Sequence, residues 1–333
     1  MGLRPGFRLL ADTQDITAAI AARFASLTLT DEAGADADTL EIKLADDPAA
    51  PIPLPRTGAE LELWLGYDGQ AQRMGLFVAD ELELEGWPLA MVIRARAAPF
   101  EATAAGKSRI QAQKSRSWPK DTRLVDLVAK IAKENGLAPA VAASLRDIRL
   151  PHLDQTEESD LSFLVRVLRR YDAAAKPGGG RLAVVKRGEG LTTSGEALPA
   201  VALRAADCGS FRMTLARRDS PGTVVAYWHS TRAAKRQQVS LGSGEPVKVL
   251  RHSYPNEPAA VAAAQAELDR RRRGQARVAL TMPGNPALCA EAPLDLSEFR
   301  PGVDGRWIVT RVAHALDKSG GYSCEVEAEQ PGE

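Results

Sequence analysis

Cysteine is scarce in this chain of 333 residues, which contains Cys208, Cys289 and Cys324 and no other thiol. An odd count without Cys-x-x-Cys spacing argues against a disulfide framework and against a thiolate zinc site. Long apolar runs are missing too, since the first residues do not resemble a secretion signal and no run approaches the roughly 20 residues of a membrane span. We therefore expect a protein that is made in the cytoplasm and has no membrane anchoring.

A net charge is also absent, because 43 Lys and Arg residues balance 43 Asp and Glu residues. No overall field therefore favours nucleic acid or an anionic membrane. The two signs are nevertheless unevenly distributed: residues 31–105 carry 15 acids and 5 bases, net −10, and residues 177–290 carry 17 bases and 8 acids, net +9. Such an imbalance suits self-association through complementary faces, although charges that cluster on solvated surfaces give the same counts.

Catalytic motifs are missing as well. The four histidines show no His-Glu-x-x-His pattern and no ligand spacing with cysteine; they are His152, His229, His252 and His314. The glycine run at 178–180 lacks the Lys-Ser/Thr of a phosphate-binding loop, and adjacent Glu157 and Glu158 would diverge on a helix instead of flanking one glycosidic bond. We predict no catalytic, cofactor-binding or metal-binding residues, no cofactor, and a partly buried packing role for His314.

The sequence does contain alternation of apolar and polar residues with period two, which is typical of half-buried antiparallel strands. In the first hundred residues this pattern predicts strands over 25–30, 39–44, 60–66, 76–85 and 90–97. Turn residues such as Gly34 and the Asp68-Gly69 pair separate them. Residues 1–105 are therefore predicted to form a β-barrel or sandwich.

Helical spacing follows in residues 106–176, where two helices are predicted. The first starts at Asp121-Thr122 and ends at Asn135-Gly136, and its apolar face comprises Leu124, Leu127, Val128 and Ile131. These residues indicate a small helical domain.

The second helix is predicted over residues 155–171. Thr156 can cap its start, where Glu157, Glu158 and Asp160 match the positive end of the helix dipole. Its buried stripe is predicted to comprise Leu161, Leu164, Val165 and Leu168. The following Lys-Pro-Gly-Gly-Gly segment at 176–180 cannot continue a helix, so the chain must turn there into a strand.

Strands return in a second β region, with predicted spans over 181–186, 211–215, 223–228, 277–282, 306–316 and 322–328. An alanine-rich helix interrupts them, capped by Asn256, with Pro258 in its first turn and Gly274 at its end. The run of arginines at 270–273 suits the negative helix end and spreads around the whole helix, which does not favour nucleic-acid recognition. The predicted fold class is α+β, mostly β.

Several short motifs in this order of elements are specific. They are residues 155–171 with 182–185, Gly-Asn-Pro-Ala-Leu at 284–288, Gly-Arg-Trp-Ile-Val at 305–309, Val-Ala-His at 312–314 and Gly-Tyr-Ser at 321–323. Over nearly its whole length the chain thereby resembles the phage late control D family. It departs from the family pattern at residues 289–294, where Cys-Ala-Glu-Ala-Pro-Leu replaces a strand that begins with glycine.

This resemblance implies a structural baseplate hub of a contractile phage tail or tailocin, similar in fold to the hub portion of type VI secretion spike proteins. It implies two tube-protein-like β-barrel domains, 1–105 and 177–333, the second with the inserted alanine-rich helix, joined by the small helical domain 106–176. It also implies a homotrimer that acts as an adaptor, in which six barrels match a hexameric tail tube on one side and a trimeric spike on the other.

The partners implied by the family are the tail tube or tube-initiator protein, the spike protein, other baseplate proteins and the tape measure protein. Sequence-specific nucleic acid is not expected, because no helix-turn-helix with a basic reading helix is evident. The expected location is the tail baseplate of a virion or tailocin particle, after synthesis in the host bacterial cytoplasm.

Two alternatives stay open beside this non-enzymatic hub. A tail-tip cell-wall hydrolase needs convergent carboxylates or a Cys/His pair in a cleft, and no spacing in the sequence suggests either. The hub component of a type VI-like secretion spike would be followed by a repetitive β-helix, for which we expect no room because the sequence ends at Glu333.

Overall fold

The computed structural model describes residues 3–34, 37–97, 110, 112–178, 180–216, 222–230, 235–319 and 321–331, and it is α+β and mostly β, as predicted. The helices are α1 (Thr17–Ala21), α2 (Leu124–Glu134), α3 (Asp160–Leu168) and α4 (Glu257–Arg273). The strands are β1 (Pro5–Ala11), β2 (Gln14–Asp15), β3 (Phe24–Glu32), β4 (Thr39–Ala45), β5 (Glu60–Tyr67), β6 (Gln70–Glu85), β7 (Ala90–Ala97), β8 (Gln113–Trp118), β9 (Ala138–Val141), β10 (Leu153–Ser159), β11 (Ala173–Gly178), β12 (Arg181–Lys186), β13 (Val201–Arg204), β14 (Ser210–Leu215), β15 (Thr223–Ser230), β16 (Lys235–Gly242), β17 (Val247–Tyr254), β18 (Ala276–Pro283), β19 (Pro293–Ser297), β20 (Gly305–Asp317) and β21 (Gly321–Glu329).

One large sheet contains strands from both β regions, in the order β14-β18-β21-β20-β3-β4-β7-β6-β5-β1-β2. Strand β20 joins the regions, because its residues 311–317 pair antiparallel with residues 26–32 of β3. One hydrophobic core underlies this sheet and includes Leu27 and Ile42 from the first region and Trp307 and Val326 from the second. The two β regions therefore share one sheet and one core, and their division into two barrels stays a prediction.

The predicted strands of both regions are confirmed, with ends that differ by at most a few residues, apart from β6, which begins earlier. Two of them, β12 and β15, lie in other sheets than the large one. Helix α1 was not predicted, and neither were strands β1, β2, β8, β9, β11, β13, β16, β17 and β19. In β1 only Leu9 is fully buried, and the rest of the strand is half-buried or exposed. Its sequence therefore shows no alternation, and its pairing with β5 across more than fifty residues defines it instead.

A second core lies in residues 110–186, which we call the α/β module. Helices α2 and α3 pack there on the hairpin-like pair β8–β10 and on the three-stranded sheet β11-β12-β9. The predicted apolar face of α2 is confirmed, since all four of its residues are buried, and Gly136, at φ 72°, follows the end of the helix. The chain also turns as predicted between β11 and β12, where Gly180 has φ 72° and Gly179 lies outside the described residues.

The predicted start of the second helix is wrong, because α3 begins at Asp160 and residues 155–159 belong to β10. Ser159, and not Thr156, is the cap, and its hydroxyl accepts a hydrogen bond from the backbone N–H of Ser162 at 3.1 Å. Pairing of β10 with β8 holds the segment extended, and Glu157 has a positive φ of 48° within it. Tertiary pairing thus overrides a local pattern that suited a helix start.

The buried face of α3 also differs in part from the predicted stripe. Leu164 and Leu168 are buried, as predicted, whereas Leu161 and Val165 are half-buried. Phe163 and Val167 complete the buried face; the ring of Phe163 stacks on Trp118 of β8 with centroids 5.9 Å apart. The face is rotated because the helix starts later and faces both β8 and β11.

Helix α4 covers one face of a third sheet, β16-β15-β17. Its predicted limits are confirmed: the Asn256 side chain accepts a hydrogen bond from the N–H of Ala259 at 2.9 Å, and Gly274 follows the last turn. Small alanine side chains let the helix approach closely, and Ala260 and Ala264 pack on Val224 of β15.

The turn at 284–292 keeps a defined geometry despite its departure from the family pattern. Gly284 is required there, since the ring of Tyr322 occupies the position that a Cβ atom would take. Asn285 accepts a hydrogen bond from the N–H of Ala287 at 3.0 Å, and Glu291 adopts φ 65° before β19 begins at Pro293.

Candidate functional site

His314 lies at the centre of a buried polar cluster between β20, β21 and the turn at 284–292. Its Nδ1 atom is 2.8 Å from the Tyr322 hydroxyl and 3.2 Å from the Cys324 sulfur, and its Nε2 atom is 3.2 Å from the carbonyl oxygen of Leu288. The side chain is completely buried. The prediction of a packing role for His314 was therefore right, whereas the prediction that the side chain is only partly buried was wrong.

This Cys/His contact differs from a catalytic dyad in its protonation. Burial lowers the pKa of His314 to about 4 and raises the pKa of Cys324 to about 11, so both side chains are neutral at neutral pH. A nucleophilic cysteine needs a thiolate and access to substrate, and Cys324 has neither. The pair was not predicted, although the register of the β20–β21 hairpin places the two residues directly opposite each other.

The other histidines are dispersed. His152 is exposed and lies 3.2 Å from Asp154, while His229 and His252 are exposed on the third sheet. Glu158 forms an ion pair with Arg166 at 2.7 Å, and Glu157 is not a member of this pair. Across the described ranges, no group of three or more His, Cys, Asp or Glu side chains could hold a metal ion.

A pair of carboxylates does converge, at the contact between the large sheet and the α/β module. Lys176 of β11 places its Nζ atom 2.8 Å from Asp31 and 2.7 Å from Asp38. Asp31 also accepts a hydrogen bond from the N–H of Ala290 at 2.9 Å. Since one lysine lies against both carboxylates, the cluster connects β3, the β3–β4 loop, β11 and the turn at 284–292.

The two carboxyl groups titrate differently. Burial and the charge of Asp31 raise the pKa of Asp38 to about 7, whereas the Lys176 charge and hydrogen bonds outweigh burial and hold the pKa of Asp31 below its usual range. Lys176 keeps its proton because the charges of Asp31 and Asp38 outweigh burial and raise its pKa. The cluster therefore retains one extra proton near pH 6, on Asp38.

We expect Asp38→Asn to change the pH dependence of stability between about pH 4 and pH 7. In this window the folded chain keeps the Asp38 proton and the unfolded chain does not, so this residue makes stability fall as pH rises, by at most about 1.4 kcal/mol per pH unit. His314 makes stability rise with pH instead, because its pKa is lowered in the folded chain. The test therefore compares the free energy of unfolding of variant and wild type, measured with urea at pH 4.5, 6 and 8. The variant should gain stability relative to wild type as pH rises, and a constant difference would contradict the assignment.

Arg273 forms a second buried connection between the same parts of the chain. Its guanidinium binds Asp172, which precedes β11, and its Nε atom lies 3.2 Å from Glu329 of β21. Both Arg273 and Asp172 are almost fully buried, with 4% and 3% of their side chains exposed. Gly188 is required beside them, since a Cβ atom there would lie 2.8 Å from Cδ of Arg273. The last residue of the arginine run is thus structural.

Asp160 also has a structural role that the sequence did not indicate. Its carboxylate is completely buried and lies 2.6 Å from both Lys114 and Arg116 of β8. Asn135 and Gln155 donate further hydrogen bonds to it. Although burial opposes ionisation, these contacts outweigh it and hold the pKa of Asp160 below its usual range. Asp160 therefore fixes α3 to β8 and to the end of α2.

The exposed face of the third sheet is a candidate assembly surface. Within the described part of the chain, β16 and β17 each pair only with β15, so each has an open edge. Val247 and Val249 are 46% and 48% exposed, and the guanidinium of Arg236 lies 3.7 Å from the centre of the Tyr227 ring. Open strand edges and exposed apolar side chains are features of surfaces that bind other chains.

The β6–β7 hairpin is a second candidate assembly surface. Trp87 at its tip is 83% exposed, and Leu84 beside it is 60% exposed. Exposed tryptophan is enriched where protein interfaces derive most of their binding energy. Among the described residues, no helix is both long and apolar enough to cross a membrane.

Comparison with known proteins places these features in a family. The model of the phage tail baseplate hub family matches residues 39–320. A probable baseplate hub protein of Escherichia phage 186 is 34% identical to this chain, over 98% of the chain and 94% of that protein. The corresponding protein of Escherichia phage P2 is 32% identical, over 98% of the chain and 93% of that protein.

Solved structures share the fold at low sequence identity. A tail protein from Neisseria meningitidis has a TM-score of 0.72 and 10% identity, over 98% of this chain and 97% of that one. A prophage MuSo2 tail protein from Shewanella oneidensis has a TM-score of 0.70 and 12% identity, over 98% of each chain. A type VI secretion system component from E. coli has a TM-score of 0.56 and 11% identity, over 93% of this chain and 74% of that one.

Proposed function

Because the chain belongs to the phage tail baseplate hub family, we propose that three copies of it form a symmetric adaptor between the hexameric tail tube and the trimeric spike. The protein is a structural component of the tail baseplate. The observation that carries the proposal is the register of β20 on β3, which joins the two β regions of one chain in a single sheet. If each region acts as one tube-like unit, three copies supply the six units that a sixfold tube requires.

The chain's two ion clusters support this role. The Lys176 cluster and the Arg273 cluster both connect the α/β module to the large sheet. A hub that transmits force between tube and spike has to resist relative motion of its parts, and buried ionic contacts fix geometry at a cost in stability. We propose that the open edges of β16 and β17 and the Trp87 hairpin contact neighbouring copies, the tube or tube-initiator protein, or the spike.

We propose that the hub has no enzymatic activity. The converging groups that a hydrolase would need are present in part, but Cys324 and His314 are buried and neutral, and Asp31 and Asp38 share Lys176. Neither set leaves a group in the protonation state and position that attack on a substrate requires. Cell-wall cleavage would then belong to other proteins of the particle.

The hub component of a type VI-like secretion spike is a second candidate, favoured by the fold it shares with the E. coli type VI component. The two phage hub relatives are about three times more similar in sequence and match almost end to end. We therefore propose a contractile phage tail as the preferred assignment. A tailocin uses the same tail and is included in this proposal.

We expect a homotrimer in the assembled particle, with a central channel. Native mass measurement of purified protein and of isolated baseplates tests this, and a stable dimer or hexamer in the baseplate would contradict it.

If the acidic region 31–105 of one copy meets the basic region 177–290 of the next, assembly should slow between 0.05 and 0.5 M salt, since exposed charges are screened within about 10 Å at 0.1 M. Assembly that is insensitive to salt would place the charges elsewhere.

A further inference from the structure

A cavity of about 310 Å³ opens where the end of α3, the β11–β12 hairpin and α4 meet. Three arginines from three different elements line it: Arg169 in the turn after α3, Arg187 after β12, and Arg270 of α4. Its floor consists of Ala173, Ala174 and Ala175 of β11, whose short side chains leave the space open. The cavity is distinct from the His314 and Lys176 clusters.

Carboxylates balance only part of the positive charge of this cavity. Asp172 is the one acid that lines it, and Asp172 is already bound to the buried Arg273. Arg270 pairs with Glu267, which also binds Arg271. In the part of the chain that the structure describes, neither Arg169 nor Arg187 forms an ion pair, although Arg187 also lines the adjoining cavity, which contains Glu32, Glu291, Glu327 and Glu329.

The folded chain therefore holds like charges together. Burial, followed by the charge of Arg169 and more weakly by those of Arg271 and Arg187, lowers the pKa of Arg270, although the charge of Asp172 acts in the opposite direction. The guanidinium of Arg187 lies against Gly34, and a side chain at position 34 would occupy its place, since a Cβ atom there would lie 2.5 Å from it. Arginines that only cover a surface would point to water and separate. Here the backbone places the three arginines around one opening. Such repulsion between like charges lowers stability, as is common at binding sites.

We propose that this cavity is a binding site for a small multivalent oxyanion of the phosphate or carboxylate class. The planar guanidinium forks of three arginines match the oxygens of either group with paired hydrogen bonds. The volume lies at the lower end of the range for ligand cavities, about 300 to 1,000 Å³, and suits a free phosphate ester or one or two acidic side chains of a partner protein. The inference does not depend on the proposed hub function.

The test is calorimetric titration and thermal unfolding of the full chain with two probes, pyrophosphate and a tetraglutamate peptide, at constant ionic strength. We expect at least one probe to bind and to raise Tm, and Arg169→Gln to weaken that binding by about tenfold, since a charge-assisted hydrogen bond is lost. Arg169 is exposed, so this variant should fold. Without a probe its Tm should equal or exceed that of wild type, because one repelling charge is removed. Arg187→Gln should weaken binding similarly.

Arg306→Gln is the matched control, because it removes an exposed arginine that pairs with Asp295 and does not line the cavity. Tighter binding of pyrophosphate would identify a free phosphate as the ligand, and tighter binding of the peptide would identify a protein carboxylate. The proposal is overturned if neither probe binds, if Arg306→Gln weakens binding as much as Arg169→Gln, or if Arg169→Gln lowers Tm in the absence of a probe.

Discussion

Replacing Arg273 by alanine is expected to lower the free energy of unfolding by about 3 to 5 kcal/mol. The substitution removes the partner of Asp172, whose carboxylate is 3% exposed and would stay buried and charged without compensation. It also separates α4 from β21, because Glu329 loses its contact with Nε of Arg273. Urea unfolding followed by far-UV circular dichroism measures the loss, and native mass measurement shows whether the oligomer survives.

The control for this variant is Arg272→Ala, one residue earlier on the same helix, where the side chain is exposed. It removes the same charge from the same helix end and should cost well under 1 kcal/mol. A rescue is also expected: Asp172→Asn in the Arg273→Met background should recover stability, since the uncompensated carboxylate disappears and asparagine accepts the left-handed φ of 52° at this position. Equal losses for Arg273→Ala and Arg272→Ala would show that the buried pair contributes little.

The sequence predicted the regular elements of this fold well where one physical signal dominates. Helix α4 has a cap, an early proline and a closing glycine, and its limits are confirmed at Asn256 and Gly274. Helix α2 has four apolar residues at helical spacing, and all four are buried. Strands β4, β18 and β21 alternate cleanly between buried and more exposed residues, because one face of the sheet contacts the core and the other faces water.

The prediction of α3 failed because two signals conflicted. Residues 155–159 contain acids that suit a helix start, but their pairing with β8 depends on a strand about forty residues earlier. Asp160 was assigned to the helix dipole, yet Lys114 and Arg116 make it the buried centre of an ionic network. Helical spacing cannot reveal such a partner, because the partner lies on another element.

The polar clusters were missed for the same reason. Arg273 was interpreted as one of four arginines at a helix end. Its contacts with Asp172 and Glu329, which distinguish it from the other three, form only when the α/β module packs on the large sheet. Lys176 was interpreted as part of a turn, although its Nζ atom connects two carboxylates from the first β region. The His314–Cys324 contact could have been predicted, since the β20–β21 hairpin fixes their register once its turn is placed.

The core of the α/β module gives the second large prediction. Leu164→Ala and Leu168→Ala are each expected to cost about 2 to 5 kcal/mol, because each removes a completely buried side chain from a small core that cannot collapse fully around the cavity. Leu161→Ala is the matched control on the same helix, and its half-buried side chain should cost less. Denaturant unfolding and electron microscopy of assembled baseplates measure stability and assembly together.

The same experiment separates a structural hub from a hydrolase. Loss of Leu164 or Leu168 should abolish particle assembly, since the module that carries Lys176 and Asp172 would no longer hold its position on the large sheet. Glu157→Gln and Glu158→Gln should leave particles intact and cost about 0.2 to 1 kcal/mol or less, because Glu158 forms only a partly exposed pair with Arg166. If these glutamine variants assembled normally but lost a measurable wall-degrading activity, the proposal of a non-enzymatic hub would be wrong and the protein would be a hydrolase.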